Sequence, residues 1–146
     1  HTSRNAKLDD GEEMICANVI DFDKSTEEKI VYKPNPNYNL EECNLKYMRR
    51  GNVYGLKTLE IWEGLQKGMF QVIALSNAEA INKLIKMFGD LVVLIYVHSG
   101  IPCSDYDSAF SLYINNTVKY NHVIIFEDKK EDLYDQVFRI LHHYEV

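Results

Sequence analysis

Residues 91–97 form the tightest constraint on this chain: Leu91-Val92-Val93-Leu94-Ile95-Tyr96-Val97 is an unbroken apolar run enriched in β-branched side chains. Such a run needs cover on both faces, and the expected way to provide it is a central strand of a parallel sheet with helices above and below. The neighbouring segments fit that expectation. Leu59, Trp62, Leu65 and Met69 recur at helical spacing and Gly68 supplies a stop, predicting a helix over residues 58–67. Residues 70–75 then read as a buried strand. Ser76 with Glu79 has the spacing of a capping box and opens a helix that runs to Phe88 and closes at Gly89. Ser104 and Asp105 are expected to cap a further helix with Tyr106, Phe110, Tyr113 and Thr117 inward, residues 122–126 a strand, and Leu133, Val137, Ile140, Leu141 and Tyr144 one face of a last helix. Helices alternating with buried strands predict an α/β fold with a mostly parallel sheet.

Residues 13–50 differ. Segments 14–20 and 29–32 have strand character, Pro34-Asn35-Pro36-Asn37 enforces extended or turning backbone, and Leu45, Tyr47 and Arg49 alternate with Asn44, Lys46 and Met48 as in a half-exposed strand. The expectation is one domain over residues 1–146, with a small antiparallel lobe at 13–50 set against an α/β core at 51–146. A chain opening on His1 rather than Met is expected to be part of a longer polypeptide.

A net charge of −6 disfavours a surface built to grip nucleic acid, which depends on clustered Lys and Arg. No apolar run approaches the ~20 residues that cross a bilayer. Cys16, Cys43 and Cys103 lack disulfide or zinc spacing, so reduced thiols in a cytoplasmic protein, with no metal site, are expected. His98, beyond an apolar strand, and His142-His143 near the terminus read as a loop residue and a solvated tail. Arginine occurs only at Arg4, Arg49, Arg50 and Arg139, which gives weight to any that lies near an anion site.

Three segments resemble the guanylate kinase family. Thr2-Ser3-Arg4, with Lys7 and Gly11-Glu12, is similar to its T-T-R-x-x-R-x-G-E segment. Gly51-Asn52-Val53-Tyr54-Gly55, followed by a helix, Lys67-Gly68 and an apolar run, is similar to its G-N-Y-Y-G region. Tyr120-Asn121-His122-Val123-Ile124-Ile125 is similar to its closing Y-D-H-V-I-V-N. The resemblance spans nearly the whole chain and implies a nucleoside-monophosphate-kinase-like core whose N-terminal ATP-binding segment is missing here. No G-x-x-x-x-G-K-[ST] loop occurs, so ATP and magnesium are implied only if such a loop precedes His1.

By that resemblance, Ser3, Arg4, Lys7, Tyr54 and Gly55 hold the acceptor phosphate, with Arg49, Arg50 and Ser76 as further candidates; no catalytic residue is assigned. Arg offers a planar fork, Lys a point charge and Tyr a neutral donor on a rigid ring, a set suited to a dianionic phosphate. Leu45 and Ser76 stand where the family reads guanine with carboxylates, and Ala74 where it carries an aspartate linked to magnesium. Between His98 and Asn121 no arginine is available to neutralise a transferring phosphoryl group. Two functions follow as expectations. One is a nucleotide-kinase relative transferring phosphate to a nucleoside monophosphate or other phosphorylated acceptor. The other is a non-catalytic guanylate-kinase-like module that binds a phosphorylated protein.

Overall fold

The computed structural model describes residues 1–8, 10, 14–99 and 108–145. The chain divides into two compact units, His1–Ala74 and Leu75–Val146.

The first unit is built on a five-stranded sheet comprising β1 (Thr2–Asn5), β2 (Cys16–Ile20), β3 (Tyr32–Pro34), β4 (Leu45–Arg49) and β5 (Asn52–Leu56), in the spatial order β3-β2-β1-β5-β4. Only β1 and β2 run parallel. The β2–β3, β1–β5 and β4–β5 pairings are antiparallel. The mostly parallel sheet expected from the sequence, with a P-loop kinase core, is therefore corrected: the principal sheet is mostly antiparallel.

Local chemistry accounts for its edges and turns. Pro34 cannot donate to a ladder and is found in β3, an edge strand. The Asn35 side chain then bonds the Cys16 carbonyl at 3.0 Å and tethers the turn that follows. Arg50 and Gly51 link β4 to β5 with φ of 50° and 79°, the left-handed pair that matches strand twist in a two-residue hairpin. Leu45, only 1% exposed, anchors the buried face of β4. Helix α1 (Thr58–Gln66) starts where the Asn44 carboxamide oxygen accepts from the Thr58 N–H at 2.9 Å, and it ends before Gly68 at φ 73°.

Residues 70–75 form no strand. Val72 is 88% exposed, so the burial that would offset the cost of ordering an extended segment is not obtained there. An apolar run signals a demand for burial, and it says nothing about the availability of a ladder partner.

In the second unit, α2 (Ala78–Phe88) closes at Gly89 as expected, but its cap is Asn77, whose side chain accepts from Ala80 N–H at 2.9 Å, and not Ser76. The apolar run at 91–97 is split. Gly89–Leu91 makes a short 3-10 turn, Leu91 is 62% exposed, and the strand β6 covers Ile95–Ser99. It pairs in parallel with β7 (His122–Phe126), in a sheet of two strands. Helix α3 (Ser108–Ile114) brings Tyr113 onto Tyr96 with ring centroids 4.5 Å apart, and Tyr120 closes on the same ring at 5.6 Å. Thr117 lies past the end of α3, and the expected capping residues 104–107 fall outside the described residues. Helix α4 (Lys130–Tyr144) locks onto β7 through Gln136, which donates to the Ile125 carbonyl at 2.9 Å and accepts its N–H at 3.2 Å. No helix among the described residues is long and apolar enough to cross a membrane.

The tightest approach in the first unit is at Gly55, where an added Cβ would stand 2.6 Å from the Cys43 Cβ and 2.7 Å from Leu40 Cδ1. Gly55→Ala is expected to destabilise the protein by about 1–3 kcal/mol through overpacking, read as a lower urea midpoint. An unchanged midpoint contradicts the close packing of β5 on this loop.

Candidate functional site: an arginine fork on the five-stranded sheet

The register of the sheet assembles the site. Thr2 stands opposite Cys16 on one side and Tyr54 on the other, and Tyr54 stands opposite Tyr47. Directly paired residues project to the same face, so these four side chains share one face of the sheet. Thr2, fully buried, is its centre. Tyr47 and Tyr54 stack with centroids 5.4 Å apart and planes 14° apart.

Arg4 extends over this face and meets Asp10. Its Nη1 donates to Asp10 Oδ2 at 2.9 Å and its Nη2 to Oδ1 at 2.6 Å, a two-pronged pair whose side chains are 13% and 16% exposed. Nη1 also donates to the Asn5 carbonyl at 2.9 Å. Asp10 Oδ2 accepts two further bonds, from the Lys7 N–H at 2.8 Å and the Cys16 thiol at 3.6 Å. The Asp10 N–H in turn donates to the Lys7 carbonyl at 3.2 Å, closing the loop as a turn.

The electrostatics follow the geometry. Hydrogen bonding from Arg4, opposed by burial and helped by the Lys7 N–H, holds the Asp10 carboxyl at about 2, below its ordinary 3.8. The Asp10 carboxylate, with a further hydrogen-bonding contribution from Tyr54, pushes the Arg4 guanidinium above its ordinary range. Burial pushes the Cys16 thiol up, so it remains a neutral donor to the carboxylate. Burial, followed by the neighbouring Tyr54, likewise raises the Tyr47 hydroxyl. The ensemble is one fixed cation with its anion, bordered by neutral hydroxyl-bearing rings.

The residues singled out from sequence divide accordingly. Arg4 and Tyr54 come together. Ser3 ties β1 to β5, its Oγ accepting the Val53 N–H at 2.9 Å. Lys7 is exposed and serves the cluster through its backbone N–H. Gly55, next to Tyr54 on the strand, faces the opposite side against Cys43 and Leu40, and its carbonyl accepts from the His1 amine at 2.9 Å. Arg49 is exposed on the Tyr47 face, close enough to favour the Tyr47 phenolate, while Arg50 is at the hairpin tip. Ser76 belongs to the second unit, just ahead of α2. Leu45 is a core side chain and Ala74 is exposed in irregular backbone. His98 lies within β6, its Nδ1 3.1 Å from the Tyr96 hydroxyl. Gly11 and Glu12 lie outside the described residues.

Three members of the cluster escaped the sequence reading: Asp10, Cys16 and Tyr47. Tyr47 was within reach, since the alternation of Leu45, Tyr47 and Arg49 already places it on one face with its neighbours. Asp10 was not, because nothing in Asp9-Asp10-Gly11-Glu12-Glu13 tells which carboxylate folds back on Arg4.

Comparison of the chain with protein-family models, curated proteins and solved structures finds no match. The geometry yields its own test. Because the Asp10 carboxyl is depressed in the folded state, its contribution to stability is complete above pH ~4 and is lost as pH falls toward about 2. Wild-type stability is expected to drop by about 1–2 kcal/mol more than that of Asp10→Asn across this window, measured by urea unfolding at a series of pH values. Parallel pH profiles for the two proteins contradict the pairing.

Proposed function

We propose that the first unit is a phosphate-holding module of guanylate-kinase-like type, in which Arg4 and Tyr54 grip the phosphate of a phosphorylated ligand. The observation that supports this reading most is that the Arg4 fork already engages a two-oxygen anion, the Asp10 carboxylate, with both terminal nitrogens. Bidentate geometry of this kind suits phosphate as well as carboxylate. Tyr54, on the same face, supplies a neutral donor, and the stacked Tyr47–Tyr54 pair gives a rigid ring surface against which the body of a ligand can lie.

Leu45 points away from guanine as the ligand's base: where the family carries a base-reading carboxylate, this side chain is packed in the core. Phosphoryl transfer from magnesium-bound ATP would draw its donor-binding loop and its lid arginines from outside this sequence. Holding a phosphomonoester, whether on a small molecule or on a protein side chain, needs only the groups gathered around Arg4.

Calorimetric titration with inorganic phosphate, GMP and a phosphoserine peptide tests the reading. Arg4→Lys keeps a cation beside Asp10 but loses the fork, and is expected to weaken phosphate binding about 10–100-fold; Tyr54→Phe is expected to cost less, about 2–10-fold. Failure of all three ligands to bind, or equal affinity for wild type and Arg4→Lys, contradicts it.

A further inference from the structure

Asp10 accepts four hydrogen bonds: two from the Arg4 guanidinium, one from the Lys7 N–H and one from the Cys16 thiol. The guanidinium donors among them are the ones that an incoming phosphate would need. An anion entering this site therefore exchanges with Asp10; it does not fill a vacant position. Asp10 is six residues from Arg4 and is held in place by its own turn, so it competes at the high effective concentration of a tethered group. The affinity of any external anion is reduced by the fraction of molecules in which the fork is free.

We infer that Asp10 is an internal competitor that sets the anion specificity of the Arg4 site, admitting dianionic phosphomonoesters and rejecting monoanions such as carboxylates and phosphodiesters. This rests on the phosphate-holding reading above. A carboxylate ligand offers Arg4 the same single charge and the same two oxygens as Asp10, while also losing translational freedom, so it cannot win the exchange. A phosphodiester is likewise a monoanion. A phosphomonoester brings nearly a second charge and a third oxygen, which the Tyr54 hydroxyl can meet. Cys16 and the Lys7 N–H are neutral donors, and Tyr47 and Tyr54 are neutral rings. Among the described residues, the cations whose charge reaches this cluster are Arg4, Arg49 beside Tyr47, and the His1 amine, which acts on Cys16 while donating to the Gly55 carbonyl. Discrimination by charge thus falls on the exchange between Asp10 and the ligand at the Arg4 fork.

The test is calorimetric titration of the full chain at pH 7.5 with phenyl phosphate, diphenyl phosphate and benzoate, against wild type, Asp10→Asn and the double variant Arg4→Lys with Asp10→Asn. Asp10→Asn keeps an oxygen for the Lys7 N–H while removing the charge that occupies the fork. The expected result is phenyl phosphate bound at least about tenfold more tightly by Asp10→Asn than by wild type, with benzoate and diphenyl phosphate gaining measurable affinity and the double variant losing it. Equal or weaker binding of phenyl phosphate by Asp10→Asn, when wild type binds it, overturns the competitor role and leaves the phosphate grip standing. Silence from both proteins overturns the grip and the inference together. If circular dichroism shows that Asp10→Asn does not fold, carbon-13 and nitrogen-15 NMR of the wild type decides. The Asp10 Cγ resonance is expected to move in step with Arg4 Nε as phenyl phosphate is added; Arg4 moving while Asp10 stays fixed overturns the proposal.

Discussion

The site depends on one ion pair formed across a bulged strand. β1 is only Thr2–Asn5, yet it is the middle strand of the sheet, hydrogen-bonded to β2 on one side and β5 on the other. Its register against β2 slips between Thr2 and Asn5, so the two strands do not advance in step beside Arg4. The Arg4–Asp10 pair forms beside this irregular stretch and holds Asp10 against the sheet. A charge pair largely withdrawn from water is costly unless its remaining donors and acceptors are met. Here they are met: Asn5 takes the spare Nη1 donor capacity, and Lys7 and Cys16 fill Asp10.

That satisfaction gives the arrangement its chemical meaning. Among the described residues, no buried side-chain oxygen or nitrogen lacks a hydrogen-bond partner. On the proposed phosphate-holding reading, binding at this face is an exchange reaction, in which the ligand replaces bonds already formed. Selectivity then comes from the difference between two anions at one cation, a comparison to which charge and oxygen count contribute more than shape.

Much of the local structure was legible in the sequence. The existence of α1 and α2, the stripe of α4, the glycine stops at Gly68 and Gly89, the alternation along β4 and the limits of β7 all follow from spacing that a single element enforces on its own. The stripe expected on α1 is corrected: Leu59, Trp62 and Met69 are exposed and Gly64 is its buried residue. What was not legible depended on partners far along the chain. Residues 70–75 and 91–94 are apolar enough for strands, but pairing is decided elsewhere, and only Ile95–Ser99 found a neighbour. The same holds for the parallel core: helix–strand alternation suggested it, whereas the longest ladder of the five-stranded sheet, β4 to β5, is antiparallel and the parallel pair β6–β7 stands in a sheet of two strands. Asn77 displaced Ser76 as a cap because both are competent acceptors, and the backbone path selects between them. Of the site, Arg4 and Tyr54 were recognisable by type and motif. Asp10, which meets the Arg4 fork, was one of several carboxylates in an acidic stretch, and the turn that carries it onto Arg4 is not announced by its residue type.

The most direct measurement is a double-mutant cycle between Arg4 and Asp10 in the full chain, using Arg4→Ala, Asp10→Ala and the double variant in urea unfolding at pH 7. A fork with this degree of burial and two short bonds predicts a favourable coupling of about 1–3 kcal/mol. Strictly additive losses, with coupling near zero, would mean that the pair does not bind in solution, and would contradict the role of Asp10 as competitor at the Arg4 fork.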